Sequence, residues 1–95
     1  MITETTIVNM HHTSVYDAKI DRTTVFGNPY FVGRDGDREE VLAKYRRYFL
    51  QRIENDLAFR TEVLNLRNCI LACWCSPQRC HGEVIVEWLN ENQGN

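Results

Sequence analysis

The sequence predicts an α/β domain, a small single sheet of about three strands packed with three helices in the order β-β-loop-α-α-β-α. Three observations carry that expectation. Residues 69–75 (Cys-Ile-Leu-Ala-Cys-Trp-Cys) are apolar throughout, as a central strand covered on both faces must be. The stretch after them puts His81, Val84, Ile85 and Trp88 on one helical face, with Glu83 and Glu87 pointing away. A third, longer segment from Asp37 repeats apolar residues at helical spacing. A buried strand that runs at once into a helix belongs to a layered α/β arrangement, with the first and last strands side by side.

Taken in order, residues 5–10 are rich in β-branched side chains and predict the first strand. His11 to Ser14 follow as a turn. Tyr16, Ala18 and Ile20 then alternate with Asp17 and Lys19, which predicts a half-buried second strand over 15–20 and a hairpin with the first. From Asp21 to Gly36 the chain is mostly loop, because Pro29 lacks an N–H and drives Asn28 away from helical angles. A loop this long is costly in a small domain unless it has a task.

Asp37 is a good N-cap, and Glu40 three residues on completes a capping-box pattern. Val41, Leu42, Tyr45, Tyr48, Phe49 and Ile53 form the buried face of the helix that follows, while Lys44, Arg46, Arg47 and Arg52 form the opposite one. That basic stripe is expected to be a solvated face balanced by Asp37, Glu39 and Glu40. Asn55-Asp56 restarts a shorter helix through Leu64, with Phe59 and Val63 inward. Ser76-Pro77 ends the central strand and is placed to cap the last helix, which should carry Cys80 and His81 on its first turns and run to about Asn90.

A chain of 95 residues is expected to be one domain (1–95), with its core over about 5–90. The net charge of −2 argues against bulk nucleic-acid binding, which needs a strongly basic face. The four cysteines are crowded between positions 69 and 80, a pattern that in a reducing compartment points to metal ligands or reactive thiols rather than a disulfide scaffold.

Chemistry concentrates at Cys73-x-Cys75-x4-Cys80-His81. Cys73 and Cys75 share one face of a strand, with Trp74 on the other. A thiol at the following helix start is favoured as thiolate, and the same unpaired N–H groups can hold an anion. Three arrangements compete. Cys75 or Cys80 can act as nucleophile with His81 as base. Cys73, Cys75, Cys80 and His81 can supply zinc ligands, more easily as three of them joined by His11 or His12. Alternatively the cysteines, Cys69 and Cys73 above all, are small buried hydrophobes. The Cys73-x5-Arg79 spacing matches that of tyrosine phosphatases, but Trp74 and Pro77 are poorly suited to a loop that wraps a phosphate.

The second constellation is Arg22 with Gly27-Asn28-Pro29. Glycine permits close backbone approach and asparagine offers both a donor and an acceptor. The alternative is a plain structural turn.

Tyr16-Asp17-x-x-Ile20-x-Arg22, Gly27-Asn28-Pro29-Tyr30, Arg38-Glu39-Glu40-Val41 with Tyr45-Arg46, and Cys73-Trp74-Cys75-x-Pro77-x-x-Cys80-His81-Gly82 together resemble an uncharacterised domain family of bacteria and bacteriophages. Its signatures are a GNP motif and a CWC…CHG motif, and the likeness extends over about residues 6–90. Phe26 departs from the pattern where tryptophan is expected, and Glu83 where aspartate is. The resemblance implies a small phage or bacterial protein in which Arg22, Asn28, Cys75, Cys80 and His81 converge.

The functional expectation is an enzyme acting on a nucleotide or nucleotide-derived small molecule. Cys75, Cys80 and His81 would be catalytic, and Arg22, Gly27, Asn28 and Pro29 would bind substrate. The rival is a non-catalytic module, zinc-stabilised or not, that binds a host protein or nucleic acid through the Arg46, Arg47 and Arg52 face. The first residues form no signal sequence and no apolar run is long enough to span a bilayer, so the cytoplasm (the host's, for a phage-encoded chain) is the expected location, with no membrane partner.

Overall fold

In the computed structural model, which describes residues 5–74 and 81–92, Asp37 closes a complete capping box. Its carboxylate accepts the Glu40 N–H at 2.9 Å, and the Glu40 carboxylate accepts the Asp37 N–H at 3.0 Å. These bonds satisfy N–H groups that a helix start otherwise leaves unpaired. Helix α1 (Arg38–Asn55) follows and buries Val41, Leu42, Tyr45, Phe49 and Ile53. Asp56 serves two helices: its N–H donates to the Arg52 carbonyl at 2.8 Å, and its side chain accepts the Phe59 N–H at 3.1 Å to start α2 (Leu57–Leu64). Phe59 and Val63 point inward from α2, as their spacing predicts.

Strands β1 (Thr6–Asn9), β2 (Ala18–Lys19) and β3 (Ile70–Cys73) form one sheet in the order β1-β3-β2. Both flanking strands run parallel to β3, pairing Thr6 with Ile70, Asn9 with Cys73 and Lys19 with Ala72. The first and last strands are therefore neighbours, as expected. The hairpin between β1 and β2 is not formed. Alternation identifies which side of a strand is buried but not which strand lies beside it, and β3, apolar on both faces, takes the centre. The buried side of β2 is read correctly, since Ile20 just beyond it is fully enclosed while Asp17 and Lys19 are exposed.

Helix α3 spans Gly82–Glu91, with His81 at its N-cap rather than inside its first turns. Cys75, Ser76, Pro77 and Cys80, to which the sequence assigns the strand end, the cap and the reactive thiols, lie outside the described residues. The three helices pack around Tyr45, Phe49 and Ile85 and close over Ile20, Leu71 and Cys73 from the sheet. Parallel strands put all three carboxyl ends at one edge, and sheets of this kind bind ligands beyond that edge.

Candidate functional site

Beyond that edge the chain is tied together by a few directed bonds. The His11 N–H donates to Asn9 Oδ1 at 2.7 Å, and Asn9 Nδ2 reaches the Trp74 carbonyl at 3.4 Å. The His11 ring meets Trp74 edge-on at 4.7 Å. Asp21, just after β2, accepts the Thr23 hydroxyl at 2.5 Å and the Thr23 N–H at 3.1 Å through one oxygen. Its other oxygen accepts the Trp74 indole N–H at 3.1 Å. The Thr23 hydroxyl is the main reason this nearly buried carboxyl titrates below the usual carboxylate range, against the opposing effect of burial.

The loop after Asp21 is folded on itself. The Arg22 guanidinium donates to the Asn28 carbonyl through Nη1 and to the Tyr30 carbonyl through Nη2 at 2.7 Å, and it stacks on the Phe31 ring at 3.8 Å. Asn28 Oδ1 accepts the Tyr30 N–H at 2.9 Å, forming an Asx turn. Gly27 is glycine for a steric reason. A Cβ there would lie 2.7 Å from Arg22 Cα and 2.8 Å from the Asp21 carbonyl oxygen.

His81 reaches into this region from the start of α3. Its Nε2 lies 2.5 Å from the Ile20 carbonyl, and its ring meets Tyr45 edge-on at 5.1 Å. A carbonyl can only accept, so Nε2 carries the proton and Nδ1 carries the lone pair. Burial lowers the imidazole pKa most, the Ile20 bond acts against it, and Arg22 lowers it where Asp21 raises it. The net shift is downward, so the ring is neutral at pH 7.

These pieces enclose a cavity of about 360 Å³. The loop supplies Arg22, Thr23, Asn28 and Val32, α1 supplies Arg38, Val41 and Leu42, and the sheet edge supplies Asp21, Cys73 and Trp74, with His81 completing the wall. Most of this lining is apolar. Asn28 and His81 are only 8% and 7% exposed, yet Asn28 Nδ2 and His81 Nδ1 have no hydrogen-bond partner among the described residues. A donor and an acceptor left open in one mostly apolar cavity suit a ligand that meets both.

Residues 8–91 match the family described as "Domain of unknown function (DUF4326)". The chain belongs to the DUF4326 family. This DUF4326 domain is also 34% identical over 85 residues to an "Uncharacterized 12.4 kDa protein in nrdA-td intergenic region" of Enterobacteria phage T4, covering 88% of this chain and 76% of that protein. The resemblance to a bacteriophage domain family drawn from the motifs agrees with both findings. No solved structure matches.

Of the residues singled out in the sequence, the DUF4326 domain brings Arg22, Asn28 and His81 to one cavity. Gly27 does not line it but packs against the Asp21–Arg22 backbone. Pro29 is exposed and gives its carbonyl to Arg34 at 3.2 Å. Cys75 and Cys80 lie outside the described residues. Cys73 is enclosed, and Cys69 packs half-buried against the core with its thiol pKa raised by burial, so Cys69 is a poor nucleophile. Among the described residues, no group of three His, Cys, Asp or Glu side chains is placed to hold a metal. Nor is any described helix long and apolar enough to cross a membrane.

Asp21, Thr23, Trp74 and Arg38 were not found from the sequence. Trp74 follows the last paired residue of β3, where strict alternation ends, so it joins Cys73 at the cavity instead of pointing away. Arg38, the first residue after the Asp37 cap, was the one signal available, since a cation at a helix start runs against the usual preference. The basic stripe is balanced differently from expectation. Arg46 forms a two-pronged pair with Glu87 at 2.5 and 3.0 Å, and Arg52 engages Asp56 at 3.4 Å and the Tyr48 hydroxyl at 2.8 Å.

The buried neutral His81 makes a pH prediction. Its folded pKa lies below the unfolded value of about 6.5, so the unfolded chain binds the extra proton first and stability rises with pH in that window. The DUF4326 domain should therefore lose stability as pH falls from about 6.5 towards the depressed folded pKa. Asp21, Asp35, Asp56 and Glu87, all lowered, add their losses only further down, below about pH 4. Urea midpoints measured from pH 7.5 to 4.5 check this, and a flat profile between 6.5 and 5, or one unchanged in His81→Gln, would refute it.

Proposed function

We propose that this DUF4326 domain is an enzyme acting on a nucleotide or nucleotide-derived small molecule held in the cavity that Arg22, Asn28 and His81 line. The observation that carries the proposal is the open Asn28 donor and the open His81 acceptor, two nearly buried side chains from distant segments meeting in one apolar-walled space. Sites for small ligands have this character, mostly apolar with a few placed polar atoms. In this reading His81 Nδ1 takes a proton from a ligand hydroxyl or from water, because a neutral, desolvated imidazole is a competent base near pH 7. Arg22 and Arg38 against Asp21 leave the lining with a positive balance that favours an anionic ligand. Cys75 or Cys80 would be the nucleophile if the reaction is covalent.

Less supports a module that uses the Arg46, Arg47 and Arg52 face, because Arg46 and Arg52 already have intramolecular partners. The test combines calorimetry against nucleotides and nucleosides with mass analysis of the products. Asn28→Asp keeps an acceptor for the Tyr30 N–H but removes the donor, and it should weaken binding by about tenfold or more. His81→Gln should cut turnover by roughly 10²–10⁴, beyond whatever binding it loses. If no nucleotide or nucleoside binds at millimolar concentration, or Asn28→Asp binds undiminished, the proposal fails.

A further inference from the structure

We infer that Asp21 is a positioning residue of this site: it holds the Trp74 indole at the cavity as the surface on which the ligand's planar base stacks. The inference rests on the nucleotide reading above and deepens it. Asp21 and Trp74 both line the cavity, and the indole N–H donates to Asp21 Oδ2 at 3.1 Å. Asp21 Oδ1 accepts the Thr23 hydroxyl at 2.5 Å and the Thr23 N–H at 3.1 Å. Three donors converge on one ionised carboxylate, a group that only accepts. An asparagine would turn its own N–H₂ towards one of them, so the acid serves here where the amide does not.

Core stability does not account for this arrangement. Asp21 is only 8% exposed, and a carboxylate kept from water costs free energy. The ring it fixes is 50% exposed and lies outside the hydrophobic core, whereas Trp88 is buried within it. The His11 ring meets the indole edge-on at 4.7 Å and restrains it further. A ring that is ordered without being buried has little freedom left to lose when a flat ligand arrives. The end of β2 also positions the other ring of the site, since the Ile20 carbonyl meets His81 Nε2 at 2.5 Å. Ile20 is in turn fixed to the sheet by its N–H bond to the Ala72 carbonyl at 2.9 Å. Two consecutive residues thus hold an indole from 53 positions away and an imidazole from 61. Of the parts of a nucleotide only the base is flat, and Val32, Val41 and Leu42 give the same cavity apolar lining.

Fluorescence titration of the whole chain, with calorimetry in parallel, tests this using ribonucleosides, their monophosphates and ribose 5-phosphate. A compound with a base should quench tryptophan emission and shield it from acrylamide, whereas ribose 5-phosphate should do neither. Trp74→Ala, at a half-exposed position, should keep the fold and weaken the base-bearing compounds by roughly 5- to 100-fold. Asp21→Asn should weaken them by about 2- to 10-fold more in the native chain than in a Trp74→Ala background. That comparison cancels the effect of the lost charge, and a merely structural role would give equal losses in both. Thr23→Val, which removes one anchor of the carboxylate, makes the same comparison if Asp21→Asn does not fold. If a base-bearing compound binds without shielding tryptophan, if Trp74→Ala binds undiminished, or if the losses are equal in both backgrounds, this inference falls and the broader nucleotide reading survives. Ribose 5-phosphate binding as tightly as the monophosphates would also overturn it. If no base-bearing compound binds, both fall.

Discussion

Replacing Tyr45 with alanine is expected to bring the domain close to unfolding. Tyr45 is fully enclosed and packs against Phe49 at 5.9 Å and His81 at 5.1 Å between ring centres. Truncating a buried aromatic costs about 3–5 kcal/mol in transfer and cavity terms. Total stabilities of domains are only about 5–15 kcal/mol, and in one of this length each kcal/mol moves Tm by roughly 4–8 °C. The hydroxyl adds a second loss. It donates to the Phe26 carbonyl at 2.8 Å, immediately before the Gly27-Asn28-Pro29 turn. Tyr45→Phe isolates this bond and should cost about 1–3 kcal/mol, because the buried acceptor loses its donor. Thermal and urea unfolding of both variants check the order. A Tyr45→Phe loss as large as that of Tyr45→Ala would show that the hydroxyl, not the packing, dominates.

Gly27→Ala is expected to damage the cavity more than the fold. The added methyl would meet Arg22 Cα at 2.7 Å and the Asp21 carbonyl at 2.8 Å, and both are backbone atoms that cannot swing aside. The two loop segments must separate, which loosens the Arg22 bond to Asn28 and shifts the Asn28 amide. Overpacking of this kind costs about 1–3 kcal/mol. Gly33→Ala is the control: with φ at +97° it carries backbone strain, but nothing lies within 4 Å of its Cβ position. A left-handed alanine costs about 1–2 kcal/mol, so the two variants should melt at similar temperatures. Ligand binding measured well below both melting points should be lost in Gly27→Ala and kept in Gly33→Ala. Equal binding by the two would mean that the close approach at Gly27 does not shape the cavity.

The helices were legible because their signals are local. Asp37 and Glu40 are three residues apart, and Asp56 with Phe59 likewise, so caps and first turns can be recognised before any packing is known. The burial of Leu71, Ala72 and Cys73 was readable from composition alone. Strand neighbours were not. The alternation around Ala18 tells which face is covered, while pairing with Leu71 rather than with β1 depends on residues some fifty positions away. At the site, Arg22, Asn28 and His81 could be nominated as a set, but the use of Arg22 as a staple for its own loop could not. A guanidinium in a sequence looks the same whether it faces a ligand or two backbone carbonyls.

By itself the sequence determined the order of elements, the capped starts of α1 and α2 and the buried central strand, and it pointed to Arg22, Asn28 and His81, which line one cavity. Each of these rests on spacing within a few residues, where backbone geometry leaves little choice. Tertiary structure alone decided that β3 stands between two parallel partners, that Trp74 and Arg38 join the cavity, and that His81 is held neutral with one nitrogen left open. Those outcomes depend on burial and on carbonyls such as that of Ile20, contributed from 61 residues away. No local pattern encodes them, because desolvation and hydrogen-bond partnership exist only once the chain has folded.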